Sequence, residues 1–300
     1  MDLGHRPGAG DRSTAVTVLN SGTWGALVAE HAARADGLTA AHRSRRARGE
    51  THPVEDFLFT YYSTKPSLLR RWHPGVGVVL EPGAAGPAPN ASWRWYTTDR
   101  QGAVALDADA YLADRATAVA FVHRLLVATA SRPAFTGCFG LHEWAMVYRA
   151  DATRHPAPLR LGPAGTDAVV ESHPLRCTHV DAFRFFTPDA APLNRLQPTR
   201  QTQVAMEQPG CLHASMDCHK WATKLGPVVP GALALDCFTL AGEVRRLDMQ
   251  ASPYDLTAHG HEPVAVETPA GKAEYVERQQ ALAQRAGVLR QRLVAVCAPL

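Results

Sequence analysis

The sequence predicts a mostly α-helical domain of the α+β class, compact and carrying one small β hairpin or sheet element. Three observations lead there. Runs of strong helix formers recur along the chain, punctuated by proline or glycine where helices must end. β-branched and aromatic residues concentrate in one stretch, about 75–106. The 300 residues are 46% hydrophobic and 20% charged. That balance buries a core and excludes disordered, collagen-like and coiled-coil classes.

Residues 1–22 open with MDLGHRPGAGDRST, rich in glycine and charge, and are expected to be disordered; 23–300 then form a single globular α-rich domain with a β insertion at about 75–106. Trp24 to Arg48 reads as a helix. Its end holds Arg43, Arg45, Arg46 and Arg48, where cations complement the helix dipole. With Arg70 and Arg71 they could instead form a phosphate-contacting patch. Pro53 and Pro66 each suit a first helical turn, so short helices are expected over Pro53–Tyr62 and from Pro66 to about Trp72. VGVVL (76–80) and WRWYT (93–97) read as a hairpin across GAAGPAPN, with a third strand near 103–106.

Asp109 to Ala130 reads as a long helix stopped at Arg132-Pro133, and Gly140 to Arg149 as another. PLRLG and TDAVVES suggest strands, and residues 199–225 a helix broken at Pro209-Gly210. Helices are expected over about 231–249 and 270–298.

The longest apolar runs are a few residues, far short of the ~20 that span a bilayer, so no membrane partner is expected. A net charge of +3 is too small to imply a polyanion partner by itself. The N-terminus carries no signal-peptide core, which points to the cytoplasm and to six cysteines that remain free thiols. GxGxxG, GxxxxGK[ST] and GxSxG are absent, which argues against Rossmann cofactors, P-loop NTPases and α/β-hydrolases.

Fourteen histidines are the unusual number. His31, His42, His123, His155, His259 and His261 lie in Arg/Ala-rich helices or loops and read as surface residues. The others that matter fall in three segments with carboxylates and cysteines. In CFGLHEW (138–144), Cys138 and His142 share a helical face and Glu143 follows; methionine at 146 breaks an HExxH pattern. In SHPLRCTHVDAFRFF (172–186), an extended chain would turn Cys177, His179, Asp181, Phe183 and Phe185 to one face. The third, MEQPGCLHASMDCHKW (206–221), places His213, Asp217, Lys220 and Trp221 at i, i+4, i+7 and i+8 on one helical face, with Glu207 before the break. Asp217 could serve as a base with Lys220 holding charge or substrate, or His213 and Asp217 could be two metal ligands. Each segment also has a bland reading, as buried hydrogen bonds or a surface ion-pair ladder.

Five stretches, HPVEDFLFTYYSTKPSLLRRWHPG, GCFGLHEWAMVYR, LRLGPAGTDAVVESH, EQPGCLHASMDCHKWATKL and LDMQASPYDL, are similar to an actinobacterial protein family usually labelled 3-methyladenine DNA glycosylase. The similarity covers roughly residues 25–298. Where the family more often reads MDLYKW, this chain reads MDCHKW. The resemblance implies an N-glycosidic hydrolase for alkylated purines in damaged DNA, working without a cofactor. Such an enzyme extrudes the base, stacks it on aromatic rings and stabilises cationic character at the sugar with a carboxylate. Tyr62, Trp144, Phe185 and Trp221 could stack; Glu143, Asp181 or Asp217 could supply the carboxylate; Arg45 and Arg71 could grip the backbone. The alternative is a metal-dependent enzyme acting on a small molecule. In it His142, His179 and His213 converge with Asp181, Glu207 and Asp217 on iron, manganese or zinc.

Overall fold

The computed structural model describes residues 16–153, 155–298 and 300. For residues 1–15 the expectation of disorder lies outside the described residues. Residues 16–22 depart from it. Thr17–Leu19 forms strand β1, which pairs in parallel with β2 (Val78–Leu80), and Thr17 N–H donates to Gly77 O at 2.9 Å. An open sheet edge offers unpaired backbone groups, and this segment satisfies them.

Helix α1 (Ser21–Ala47) follows at once, capped by Asn20, whose Oδ1 accepts from the Thr23 N–H. The helices expected after Pro53 and Pro66 shrink to single turns, α2 (Phe57–Thr60) and α3 (Pro66–Leu69). The sheet is four-stranded with β3 (Tyr96–Thr98) and β4 (Val104–Leu106), in the order β1-β2-β4-β3. The hairpin is therefore β3–β4, and β2 pairs with β4 rather than with the strand after GAAGPAPN. Asp99 makes the tight turn, its Oδ1 accepting from the N–H groups of Gln101 and Ala103.

Helix α4 (Ala108–Ala130) is capped by Asp107. Beyond it only α5 (Leu141–Ala145) forms within the stretch expected to run to Arg149. The strands expected from PLRLG and TDAVVES do not form. Leu159 makes one isolated bridge to Tyr254, and Gly162–Glu171 is helix α6 with proline in its first turn. Val169 and Val170 bury against the Trp144 and Tyr148 cluster, and that packing overrides their strand preference. The extended reading of 177–185 fails as well. The Asn194 side chain takes the Cys177 N–H and donates to the Cys177 carbonyl, leaving no strand ladder there. The chain then turns into α7 (Val180–Phe183), with His179 at its N-cap.

The break at Pro209-Gly210 separates α8 (Gln203–Met206) from α9 (Leu212–Leu225). Next come α10 (Gly231–Gln250) and α11 (Pro269–Cys297), the last capped by Thr268. Helix α9 packs against α4, α10 and α11 and runs through the core. Its Met216, Cys218 and Trp221 are buried there. The all-surface reading of the remaining histidines fails at His31. That ring is buried, with Nε2 3.0 Å from Leu69 O, against Gly231, where a Cβ would lie 2.9 Å from the imidazole. Among the described residues no helix is long and apolar enough to cross a membrane, and all six cysteines are free.

Candidate metal centre

The interrupted helix builds the centre. Gly210 is required at the break, because a Cβ there would sit 2.5 Å from the Phe135 carbonyl oxygen. Gln208 ties the two strands of chain together, accepting from Phe135 and Gly210 N–H and donating to Phe135 O. Gln279 of α11 donates to Gly210 O at 2.7 Å. So fixed, the turn sets Glu207 at the end of α8 beside the first turns of α9. There His213 and Asp217, four apart, project from one face.

His179 reaches this face from the start of α7. Its Nε2 lies 3.3 Å from Glu207 Oε1 and 3.3 Å from Asp217 Oδ2, yet hydrogen-bonds to neither. Its Nδ1 also has no hydrogen-bond partner among the described residues, although the side chain is fully buried. His179, Glu207 and Asp217 each offer one ligand atom, and these lie within 4.8 Å of one another. His142, His213 and Asp248 form a second such group. The two adjoin through His213, whose ring is edge-on to His142 at 4.5 Å and stacked near His179 at 5.3 Å. The buried His213 Nδ1 is a third imidazole nitrogen without a hydrogen-bond partner among the described residues.

A shell of donors orients these side chains. Tyr62 Oη donates to Asp217 Oδ1 at 2.8 Å, and Lys220 Nζ to Asp217 Oδ2 at 2.9 Å and Asp181 Oδ2 at 2.5 Å. Gln203 Nε2 donates to Glu207 Oε1 at 2.6 Å. Arg245 Nη1 donates to both Glu143 Oε1 and Asp248 Oδ2 at 2.8 Å, and His142 Nε2 pairs with Asp248 Oδ1 at 2.7 Å. Buried carboxylates therefore outnumber buried cations: Glu143, Asp181, Glu207, Asp217 and Asp248 face Lys220 and Arg245. Exposed Arg200 and Arg184 close on Asp181 from outside. Charge taken out of water must be compensated, so the surplus calls for cations or protonated imidazoles at the centre.

The proton affinities follow from that crowding. Burial works against a charge on Asp217, but Lys220 and His179 outweigh it and hold the carboxyl well below the usual range. Burial, with Asp217 nearby, raises Glu207. Burial would lower His179, yet the Glu207 and Asp217 carboxylates raise it. His142 is likewise raised against burial, by Asp248. At His213, burial, reinforced by His142, outweighs the pull of Asp248 and Asp217 and pushes it down to about 3. A neutral imidazole with an unengaged buried nitrogen is the form that ligates metals.

Two narrow clefts reach His213. One, of about 20 Å³, is bordered by Cys138, Cys177, Cys211 and Arg176. The other, of about 60 Å³, is bordered by Phe57, Tyr61, Phe185 and Arg245.

The structure brings His142, His179, His213, Asp217, Lys220 and Asp181 together, with Glu143 one ion pair away through Arg245. Tyr62 meets the centre as a hydrogen-bond donor to Asp217 instead of a stacking platform. Trp144 and Trp221, expected to stack on a base, are core residues. Trp144 is fully buried with Nε1 donating to Ala251 O, and Trp221 packs edge-on to Phe121. Arg45, expected at a phosphate, is engaged with the buried Asp56 carboxylate, while Arg43 and Arg48 pair with Asp36 and Glu50. Arg71 lies elsewhere, beside Trp93. Asp248, Arg245 and Gln203 escaped the reading of the sequence. The only trace of the first two was their i, i+3 spacing on α10.

No protein-family model, curated protein or solved structure matches this chain.

The chemistry open to the centre is that of its own side chains. Three imidazoles and three carboxylates, borne on α5, α7, α8, α9 and α10, form a mixed nitrogen and oxygen donor set. Such a set suits iron, manganese or zinc. Hydrogen bonds to the outer edge of ligating carboxylates fix their orientation, which is the arrangement of Tyr62 on Asp217 and of Arg245 on Asp248.

Proposed function

We propose that the protein is a metal-dependent enzyme acting on a small molecule, with two adjoining cation sites. His179, Glu207 and Asp217 would hold one, and His142, His213 and Asp248 the other. One observation carries the reading: the fully buried His179 ring sets Nε2 3.3 Å from each of two buried carboxylates, and its Nδ1 has no hydrogen-bond partner among the described residues. Buried polar atoms almost always find partners, and an ion is a standard resolution where they do not. A bound divalent cation would polarise an oxygen of substrate or of water. Lys220 keeps Asp217 ionised and Tyr62 aims it, Gln203 orients Glu207, and Arg245 pairs with Asp248. The cleft between Phe57, Tyr61 and Phe185 would give a small, partly apolar group access to His213.

The test is elemental analysis of protein purified without chelators, followed by titration with Fe²⁺, Mn²⁺ and Zn²⁺. The expected result is near-stoichiometric metal in the wild type and a loss of more than tenfold in His179→Ala. Folded protein that neither carries nor binds these ions would overturn the reading.

A second reading, DNA glycosylase activity on alkylated purines, draws support from a separate aromatic cavity edged by Lys65, Arg71 and Arg94. No carboxylate lines that cavity among the described residues, so nothing there could stabilise a sugar cation. Release of 3-methyladenine from methylated DNA in the presence of chelator, abolished by Asp217→Asn, would establish this reading over the first.

A further inference from the structure

Where the β element meets the helical core, a cleft of about 340 Å³ opens under the loop before β3. Its floor is apolar, formed by Leu68 and Leu69 of α3, by Ala222 of α9 and by Pro227 and Val229 after it. Trp93 and Trp95 form the other wall, with His73 edge-on to Trp93 at 5.1 Å. Lys65, Arg71 and Arg94 stand at its edge, and among the described residues no carboxylate lines it. Arg94 is committed to Asp114 at 2.7 Å. Arg71 enters no ion pair among the described residues, and its guanidinium lies 5.4 Å from the centre of the Trp93 ring. Burial pushes His73 down to about 4, so that ring stays neutral near neutral pH and adds no charge.

The backbone adds an independent mark. Ser63 and Trp95, both lining residues, hold left-handed conformations at φ 53° and 64°. Non-glycine residues in that region are strained, and such strain persists where the surroundings hold a side chain in a required place. At the back of the cleft His219, 2.8 Å from Thr64 Oγ1, packs edge-on to Tyr62, the residue that donates to Asp217.

We propose that this cleft binds a small organic monoanion with a planar apolar body, the body lying on Trp93 and the anionic group meeting Arg71 and Lys65. A cationic ligand would face Arg71 and Lys65, with no carboxylate among the lining residues to offset them. A neutral one would draw on Trp93 alone and gain nothing from those two charges. This inference stands apart from the metal reading and does not require it.

The probe is 2-naphthoate, followed by equilibrium dialysis and tryptophan fluorescence on the full chain, with 2-naphthamide as the neutral isostere and inorganic phosphate as the bare anion. One naphthoate per chain is expected, with the amide and phosphate each at least tenfold weaker. Arg71→Ala should weaken naphthoate at least tenfold and Arg71→Lys much less. Trp93→Leu, which keeps an apolar wall, should weaken it similarly while the melting temperature is unchanged. Absence of saturable binding, equal binding of the amide, or indifference to Arg71→Ala would overturn the proposal. So would displacement of naphthoate by a single-stranded oligonucleotide at lower concentration, which would make the cleft a slot for a nucleic-acid base.

Discussion

His179 directs Nε2 to a point 3.3 Å from the Asp217 carboxylate and hydrogen-bonds to it no better than to Glu207, at the same distance. A cation shared among the three, as proposed, would convert a buried electrostatic surplus into folding free energy. Ligand at 100 times its dissociation constant contributes ~2.7 kcal/mol, which for a chain of this size raises the melting temperature by about 5 °C. Chelation of metal-loaded wild-type protein should lower the melting temperature by at least that amount, and by less in His179→Ala, which keeps only the His142, His213 and Asp248 site. Equal shifts in both proteins would remove His179 from the ligand set.

Tyr62 supplies one hydrogen bond to Asp217 Oδ1 and otherwise packs edge-on to Phe57 and His219. Tyr62→Phe keeps the ring and deletes the donor. Metal affinity should fall ~10-fold or more, the size of effect seen when an orienting partner is lost. Competition against a chromophoric chelator measures it, and an unchanged affinity would reduce Tyr62 to packing.

Lys220 is mostly buried between Asp181 and Asp217, whereas Arg200 meets Asp181 from a side chain that is 55% exposed. Lys220→Met should destabilise the protein by ~3 kcal/mol in urea, because it removes the largely buried cation shared by Asp181 and Asp217. Arg200→Ala should cost no more than ~1 kcal/mol. The reverse order would mean that the outer arginine neutralises Asp181.

Trp144 fills the core and donates to Ala251 O at 2.8 Å. Trp144→Ala should cost ~3–5 kcal/mol through the cavity it leaves. A variant of wild-type stability that lost only activity would instead return this tryptophan to substrate binding.

Acid unfolding should report on Asp56, far from the centre. Burial alone would raise its pKa, but hydrogen bonds from Arg45, His42 and the His52 N–H bring it from 3.8 down to about 2. A carboxyl depressed on folding contributes stability that is full above its unfolded pKa and is lost as pH falls through the folded one. The stability gap between wild type and Asp56→Asn should thus be constant above pH 4 and shrink between pH 4 and about 2. Urea midpoints at stepped pH check this; a gap that stays level to pH 2 would contradict it.

Helix ends, the break at Pro209-Gly210 and the shared face of His213 and Asp217 were readable in the sequence because they depend on neighbours three or four residues away. The same local reasoning failed at TDAVVES, where burial of Val169 and Val170 decided the matter. It failed again at 177–185, where Asn194, distant in sequence, took the backbone of Cys177. Trp144 and Trp221 were misassigned for a related reason, since an aromatic ring lines a site or fills a core according to what packs on it.

By itself, then, the sequence determined an α-rich domain and the segments 138–144, 172–186 and 206–221 as the places where imidazoles meet carboxylates. Only the tertiary structure decided that His142, His179 and His213 share one centre, that Glu207 and Asp248 complete it, and that Arg45 does not belong to it. Periodicity along a chain fixes which face a residue occupies. Which faces meet is set by packing between α5, α7, α9 and α10, across separations no local pattern encodes.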